Sequence, residues 1–565
     1  MANRLISPGV ATNEIDQSFL PTLPVQVGAA IIGPTVKGPV EIPTIVTSYS
    51  DFQNTFGRSI ESGSDSYSFF TNITAYNYFQ NGGTSLLVAR VVSGSYTPAT
   101  SSIIQNLNTS ASFTLETISE GTIMNSDSAE DGNGALANGT KDNLRWEITN
   151  ANTGSGTFAL QIRRGDDRTN DKYVLEAFAN LSLDPNSDRF ISKIIGDQTI
   201  NYNSTENQLD ISGSYPNASK YVRVKSVSTP TLNYLDNSGV AKNVYTGSIP
   251  INASGTFSGA TGTIAGGANF YENINSTDSQ GLVGANYDNM VNLLSNKDDY
   301  QFNLLVTPGI TKADHSSQVS SAVTNTISRG DNIYIVDLVG YSATQTATVT
   351  QAGSINTSYA ATYWPWVKTF CPETGKRIWA PASVMMPGVY AFNDRAAAPW
   401  NAPAGINRGG LSNVIRPKVK LSTTNRDTLY DNNINPIATF PKHGVVVFGQ
   451  KTLQKEDSAL DRVNVRRLMI ELKGWIGQIA DTLVFEQNTL VTRNKFINQV
   501  RPYLENIQQK GGLYAFDVKM DETNNTPDVI DRNQLVGQIA IQPSRTAEFI
   551  TLDFIVQRTG AEFPI

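Results

Sequence analysis

Histidine and cysteine, the residues that most often bind metals or act in catalysis near neutral pH, are scarce in this sequence. The 565 residues include two histidines, His315 and His443, and one cysteine, Cys371. The histidines lie far apart, in segments that we assign to different domains. Three such side chains do not supply an ordinary structural zinc site within one chain. We therefore predict no metal site and no histidine-based catalysis, and we expect His315, near a helix start, to be exposed.

Short stretches that look like phosphate-binding or calcium-binding loops lack the residues that such sites require. Gly375-Lys376 has the end of a P-loop, but the upstream glycine is missing. Residues 127–132 are acidic, but they lack the regular ligand spacing and the distant bidentate glutamate of a calcium loop. Asp298 and Asp299 are adjacent, and adjacent side chains in a turn usually point apart. The sequence therefore predicts a protein that is not an enzyme and that needs no cofactor.

Four tryptophans lie close together in a proline-rich stretch, at Trp364, Trp366, Trp379 and Trp400. Such a cluster could stack on a ligand. Tryptophans in loops more often fasten those loops to a core or fill a subunit interface. We favour the structural role.

The composition is that of a multidomain globular protein with an acidic surface. Hydrophobic residues make up 39% and charged residues 16% of the chain, with a net charge of −7. A general nucleic-acid binder normally carries a basic patch or stripe, so we expect no nucleic-acid partner. The sequence begins without a signal peptide, and no run approaches the roughly 20 apolar residues that span a bilayer. We expect synthesis in the cytoplasm and no direct membrane insertion.

Changes in composition along the chain predict an α/β (α+β) multidomain fold with a mostly β insertion and two extended arms. Residues 96–275 interrupt α/β-type sequence on either side, so the flanking segments are predicted to form one discontinuous domain. The predicted parts are an N-terminal arm that adds a strand to a neighbour (1–24), an α/β middle domain (25–95 and 276–350), an exposed β insertion (96–275), a C-terminal α/β domain (351–545) and a C-terminal strand or arm (546–565).

Hydrophobic periodicity gives the elements that build these domains. Residues 350–425 are predicted to be rich in loops. Helices are predicted at Ser50–Phe56 with Ser50 as the N-cap, Tyr67–Phe79, Met290–Leu294, Ser316–Ser328, Asn464–Glu486 and Leu490–Lys510, the last starting near Asn488. Strands are predicted at Val25–Ile32, Ile42–Val46, Leu86–Val92, Leu144–Ile148, Thr157–Ile162, Tyr221–Val227, Phe302–Thr307, Ile333–Val339, Val445–Phe448, Tyr514–Met520 and Leu535–Gln542.

The end of the chain alternates strictly between apolar and polar residues. Ile550, Leu552, Phe554 and Val556 fall on one face of a predicted strand over Glu548–Gln557. A terminal strand without a free neighbour in its own domain can add to a sheet of another subunit. This pattern predicts an assembly contact.

Several short segments in the two end regions of the chain form a recognisable set. They are Ser7–Val10, Asn54–Gly57, Asn81–Gly83, Leu87–Val91, Ala402–Gly405, Val445–Gly449, Val463–Leu468, Thr523–Asn533, Ile541–Arg545, Ile550–Leu552 and Thr559–Gly560. Together they resemble the contractile-tail sheath proteins of bacteriophages, most closely the T-even type. The resemblance covers roughly residues 1–95 and 290–565, and it implies that residues 96–275 form the part that varies in that family and faces outward.

The resemblance implies a structural role in a virion. Sheath subunits form stacked hexameric rings around a tail tube and contract on a baseplate signal, without nucleotide, to drive the tube through the host envelope. The implied partners are other copies, the tube protein, the baseplate and the tail terminator. The N-terminal arm around Pro8, Gly9 and Val10 and the C-terminal strand are implied to exchange between subunits.

Four cations near the start of a predicted helix suggest a contact with an acidic tube. They are Arg462, Arg466, Arg467 and Lys473. Intramolecular salt bridges are the alternative explanation. For the whole chain, the alternative is the sheath of a related injection machine, such as a tailocin or secretion system. A polysaccharide depolymerase or a host-surface adhesin would instead place the function in residues 96–275.

Overall fold

The computed structural model describes residues 28–62, 65–127, 129–264, 270–280, 282 and 287–550. The strands are β1 Ala29–Gly33, β2 Thr44–Val46, β3 Ile60–Ser62, β4 Asp65–Tyr67, β5 Leu86–Arg90, β6 Pro98–Ser101, β7 Ile104–Gln105, β8 Ala111–Glu120, β9 Leu144–Asn152, β10 Thr157–Arg164, β11 Val174–Ser182, β12 Thr199–Asn203, β13 Gln208–Ser212, β14 Val222–Val227, β15 Ala253–Ser258, β16 Leu304–Thr311, β17 Ile333–Asp337, β18 Ala360–Trp364, β19 Val367–Phe370, β20 Arg377–Ala380, β21 Val414–Pro417, β22 Asn435–Phe440, β23 Gly444–Val447, β24 Leu513–Lys519 and β25 Gln538–Pro543. The helices are α1 Tyr49–Phe56, α2 Phe70–Gln80, α3 Ile191–Ile195, α4 Asn243–Thr246, α5 Tyr287–Leu293, α6 Ser316–Arg329, α7 Gln345–Ala352, α8 Met386–Ala396, α9 Thr423–Asp431, α10 Val463–Asp481, α11 Leu490–Gln509 and α12 Pro527–Asp531.

The central sheet has eight strands in the order β2-β5-β1-β16-β17-β18-β22-β23. Its inner strands are parallel, and the two outermost pairs, β2–β5 and β22–β23, are antiparallel. Strands β1, β5 and β17 are buried along their whole length. Such continuous apolar runs are required because both faces of a parallel sheet are covered. Helices α2 and α8 contribute to the core on one face, and α5, α6 and α9 contribute to the core on the other.

This sheet crosses the domain boundary that the sequence predicts at residue 350. Strands β18, β22 and β23 follow that boundary yet continue the sheet begun by β1. The prediction of a loop-rich stretch over 350–425 is also wrong, because it contains β18–β21 and α8. Alanine, tryptophan and proline in this stretch give no clear periodicity, yet Trp364, Trp366 and Trp379 are buried. Their structural role is confirmed.

A second, antiparallel sheet occupies the stretch that the sequence describes as a mostly β insertion. Its strands run in the order β11-β10-β9-β15-β6-β8-β14 and enclose a separate hydrophobic core. Buried and less buried residues alternate along β8 and β10, as expected for a sheet with one face on a core. The α/β multidomain fold class is confirmed.

The C-terminal unit, residues 463–543, consists of α10, α11, α12 and the β24–β25 pair around its own small core. On α11, Phe496, Val500, Leu504 and Ile507 are buried at helical spacing. Both long helices were expected, with small differences at their ends. Helix α10 ends at Asp481 rather than Glu486, and α11 is capped by Thr489, whose side chain accepts a hydrogen bond from the backbone of Thr492.

One predicted helix cap is wrong. Ser48, not Ser50, caps α1, with its hydroxyl accepting a hydrogen bond from the Asp51 backbone N–H at 3.1 Å. Ser48, two residues before Ser50, has the extended backbone conformation that the N-cap position requires. His315 stands at the N-cap of α6 and is half-buried rather than fully exposed.

Candidate assembly surface

The β24–β25 pair is a two-stranded antiparallel sheet with no further strand beside it among the described residues. Phe516 lies opposite Ile541, and Val518 lies opposite Ile539. Helix α11 packs against β24 and helps bury Val518 in the C-terminal core. Two strands alone are marginally stable in water, so this support is needed. The outer edge of each strand presents backbone N–H and C=O groups that another strand could pair with.

Asn525 fixes the connection between these two strands. Its side-chain N–H donates to the Val536 carbonyl at 2.8 Å, and its side-chain oxygen accepts from the Val536 backbone N–H at 2.9 Å. Asn525 is buried, with 2% of its surface exposed. A buried amide with both ends bonded holds a loop in one conformation. This accounts for part of the Thr523–Asn533 motif, whose role the sequence alone does not reveal.

The C-terminal arm root, residues 545–550, is held on the central part of the chain by Glu548. Its carboxylate accepts hydrogen bonds from the Tyr430 hydroxyl at 2.7 Å, from Gln450 Nε2 at 3.0 Å and from Arg462 Nε at 2.9 Å. The root borders a cleft of about 520 Å³ that is also lined by the start of α10. The described end of the chain is therefore fixed at one point on the central part of the molecule.

The charge on Glu548 is stabilised at this point. Burial alone would raise the pKa of the Glu548 carboxyl, but hydrogen bonds from Tyr430, Arg462 and Gln450 lower the pKa below its ordinary value. Burial and the bond to Glu548 raise the pKa of Tyr430, which keeps the phenol protonated as a donor. Glu548 is thus a charged, three-fold acceptor at neutral pH.

Beyond Glu548, the described chain ends in apolar side chains that face solvent. Phe549 is 82% exposed and Ile550 is 77% exposed. The other residues predicted to exchange between subunits lie outside the described residues: Pro8, Gly9, Val10, Leu552, Phe554 and Val556. Strand exchange by these residues stays a prediction.

The four cations predicted to face a tube do not form one exposed patch. Arg466 and Arg467 are each only 5% exposed. Arg467 forms a two-pronged ion pair with Asp394 at 2.8 and 2.6 Å, and Arg466 lies over the Tyr359 ring at 4.0 Å. For these two residues the prediction is wrong, since the first turns of α10 are buried on all sides.

The other two cations are more accessible. Arg462 is partly exposed and pairs with Asp461 and Glu548, which agrees with the alternative of intramolecular salt bridges. Lys473 is exposed, and its Nζ lies 3.3 Å from the Tyr359 hydroxyl. For Lys473 alone, a contact with a partner stays a prediction.

Sequence reasoning missed the residues that hold the arm root. Glu548 is separated from Tyr430, Gln450 and Arg462 by 118, 98 and 86 positions. No local pattern links residues at such separations. In the described part of the chain, no group of three or more acidic, histidine or cysteine side chains is placed to hold a metal ion. None of the described helices combines the length and apolar character needed to cross a membrane.

Two protein-family models match the chain. The phage tail sheath protein central domain matches residues 280–453, and the phage tail sheath C-terminal domain matches residues 455–557. The second match contains the β24–β25 pair, the arm root and both long helices. The first contains five of the eight strands of the central sheet, namely β16, β17, β18, β22 and β23.

Individual relatives point in the same direction. The tail sheath protein of Vibrio phage KVP40 is 40% identical over 210 residues, which cover 37% of this chain and 31% of the relative. The tail sheath protein of Enterobacteria phage T4 is 40% identical over 185 residues, covering 33% of this chain and 28% of the relative. The aligned segments thus span less than a third of either relative's length.

A similarity in fold extends over almost the whole chain. The cryo-EM structure of the anti-feeding prophage helical sheath in its contracted state aligns with a TM-score of 0.50 and 16% identity. The alignment covers 97% of this chain and 99% of that one. At this level of identity the likeness concerns the fold.

Proposed function

We propose that this chain, which belongs to the phage tail sheath family, is a structural subunit of a contractile tail sheath. The observation that carries the proposal is the β24–β25 pair, a two-stranded sheet with both outer edges free of a partner strand among the described residues. It lies within the segment that matches the sheath C-terminal domain. The family is a structural one, and the proposed activity is assembly and movement rather than catalysis.

In this proposal the two arms of each copy pair with the β24–β25 sheets of neighbouring copies. The N-terminal arm, residues 1–24, reaches at most about 80 Å when extended, enough to cross to a neighbour. One added strand contributes about five backbone hydrogen bonds, each worth about 0.5–1.5 kcal/mol net. Burying Ile550, Leu552, Phe554 and Val556 adds about 1.5–3 kcal/mol for each side chain. These are upper values, because an arm loses conformational entropy on pairing.

Such links would hold the subunits together while whole domains change their contacts. Stacked hexameric rings form around the tail tube in an extended, metastable state. Contraction replaces one set of domain contacts by a more stable set and drives the tube through the host envelope. A few kcal/mol per subunit, added over many rings, supplies the work without nucleotide.

The remaining partners follow from this role. The sheath would contact the tube protein on its inner side and the baseplate and terminator at its ends. Of the four cations predicted to face the tube, Lys473 is the one that is exposed. Residues 96–275 would face outward. The protein would be made in the host bacterial cytoplasm and would function in the virion tail.

Electron microscopy of the purified full chain tests this proposal. We expect long striated tubes about as wide as a phage tail. Variants that lack residues 1–20, or everything after Phe549, should remain folded monomers that do not polymerise. Normal sheaths from either truncation would contradict the role of the arms.

The alternative function is that of a sheath subunit in a related contractile injection system. The fold similarity to the anti-feeding prophage sheath supports this alternative. Mass spectrometry of purified particles distinguishes the two. A phage sheath should copurify with capsid proteins and packaged DNA. A sheath from an injection machine should copurify with tube and baseplate but without a capsid.

A further inference from the structure

The three-stranded sheet β20-β19-β21 carries an unusual concentration of positive charge on its solvent side. Lys368 lies directly opposite Trp379 on one neighbouring strand and opposite Arg416 on the other, so the three side chains share one face. Phe370 lies opposite Arg377 in the next row. We call Lys368, Phe370, Arg377 and Arg416, together with the buried Trp379, which is 8% exposed, the basic face.

The cations of this face lie on aromatic rings rather than beside carboxylates. Lys368 Nζ and Arg416 Cζ both lie 5.3 Å from the centre of the Trp379 ring, and Arg377 Cζ lies 5.9 Å from that of Phe370. None of the three cations forms an ion pair with another described residue. Nearby Lys376 is already paired with Asp65.

Exposed apolar area accompanies the charge. Phe370 is 48% exposed, and Ile415, at the irregularity in β21, is 44% exposed. The opposite side of the sheet, with Val367 and Ile378, is buried in the core. Arginine and aromatic side chains are enriched at protein interfaces, and a positive patch is complementary to a negative one, so this surface fits an acidic partner with some apolar area.

The chain itself carries a surface with the complementary chemistry. The connection between β24 and β25 presents Glu522, Asp528 and Asp531, all exposed. Arg532 is the only cation between residues 521 and 533, and it pairs with Asp528. Ile530 and Val536, 37% and 39% exposed, add apolar area beside these carboxylates. We call residues 521–531 the acidic segment.

We propose that the basic face of one copy binds the acidic segment of a second copy of this chain. The two surfaces are different, so the contact is head-to-tail, and repeated head-to-tail contacts build rings or helical assemblies. The contact is separate from the strand edges of β24 and β25, because it uses side chains of the connection between them. It would set which neighbours meet, since charge complementarity selects partners and register.

This inference rests on the proposed function, because a repeated contact between copies presupposes that copies assemble. A charge exchange tests it. One full-length variant reverses the face (Lys368→Glu, Arg377→Glu, Arg416→Glu), and another reverses the segment (Glu522→Lys, Asp528→Lys, Asp531→Lys). Asp521 is left intact because its side chain accepts hydrogen bonds from Thr523.

Each variant alone places like charges at the contact, so its critical concentration for assembly should rise about tenfold or more. In an equimolar mixture every face meets a segment of opposite charge, so assembly should return towards that of the wild type. A control variant reverses three exposed cations elsewhere, Lys141→Glu, Arg168→Glu and Lys297→Glu, and should assemble normally. Circular dichroism verifies that all variants are folded.

A second measurement does not depend on variants. Carbodiimide joins carboxylates to amines in direct contact, and a mixture of ¹⁴N- and ¹⁵N-labelled wild-type chains reports whether the joined peptides come from different copies. We expect mixed-isotope peptides linking Lys368 to the acidic segment. The inference is overturned if these peptides are absent, if both reversed variants assemble as the wild type does, or if the mixture stays unassembled. Failure of the proposed sheath function is distinguished by the wild type, because wild-type chains would then form no tubes in micrographs.

Discussion

Replacing Glu548 by glutamine should release the C-terminal arm root without unfolding the protein. Glu548 and Arg462 are 18% and 24% exposed, and the carboxylate accepts hydrogen bonds from three side chains. Charge-assisted hydrogen bonds contribute about 1.5–3 kcal/mol when buried, whereas exposed ion pairs contribute less than about 1 kcal/mol. Glutamine keeps one acceptor oxygen but loses the charge, so we expect a loss of about 1.5 kcal/mol. That corresponds to an open fraction about tenfold larger.

Trypsin cleavage after Arg545 measures this open fraction. When opening and closing are fast relative to cleavage, the cleavage rate follows the population of the open form. Loss of residues 546–565, followed by intact-mass spectrometry, should be about tenfold faster in Glu548→Gln than in the wild type. Glu505→Gln, the same change at an exposed glutamate on α11 that is outside the arm root and the acidic segment, serves as the control and should leave the rate unchanged. Equal rates in Glu548→Gln and the wild type would refute the role of Glu548.

The same contact should depend on pH in a defined direction. Docking holds the pKa of Glu548 below its ordinary value of 4.5. The Glu548 charge therefore contributes fully to the free energy of docking above pH 4.5. This contribution is lost as the pH falls through the lowered pKa of the docked form. A dye attached at Ile550→Cys, with Cys371 buried and unreactive, should show falling anisotropy below that pH in the wild type. In the Glu548→Gln background the anisotropy should show no such step.

Three further substitutions probe the packing that positions the assembly surface. Leu504→Ala, at a fully buried site on α11, should destabilise the C-terminal unit by about 2–5 kcal/mol, measured by urea unfolding. Asp394→Asn leaves buried Arg467 without its ion pair and should cost about 3 kcal/mol, seen as a lower midpoint in calorimetry; an unchanged midpoint would contradict the account of α10. Burial raises the pKa of the Asp337 carboxyl from its ordinary value of 3.8 to about 7. The folded state therefore prefers the protonated carboxyl, and the resulting stabilisation is complete below pH 3.8 and is lost as the pH rises through 7. Asp337→Asn should flatten that decline in unfolding free energy between pH 4 and 8, and an equally steep decline in the variant would show that Asp337 is not its source.

Local signals in the sequence were sufficient for the elements with strong periodicity. Strand β5 follows directly from its apolar run, and helix α11 and strand β1 follow from apolar spacing and from the glycines at their ends. The face of α10 could not be read in the same way, because Arg466 and Arg467 occupy buried positions and satisfy their charge through Tyr359 and Asp394. Helical periodicity places charged residues on the surface, because the pattern within one helix does not show which residues from distant segments can pair with them.

Long-range pairing accounts for the rest of what the sequence did not predict. The central sheet joins β1, near the start of the described chain, to β16 and then to β22, so its extent depends on contacts between distant segments. The arm root depends on Glu548 meeting Tyr430, 118 positions away. By contrast, the Thr523–Asn533 motif is recognisable in the sequence, but the bonds from its Asn525 to Val536 depend on the folded structure.

A cryo-EM helical reconstruction of tubes assembled from the full chain tests the central claim most directly. The account predicts that the β24–β25 sheet of each copy gains strands from residues 1–24 and 546–565 of neighbouring copies, so that its outer edges are paired. A reconstruction in which those edges remain unpaired, or in which both arms fold back onto their own chain, would contradict it.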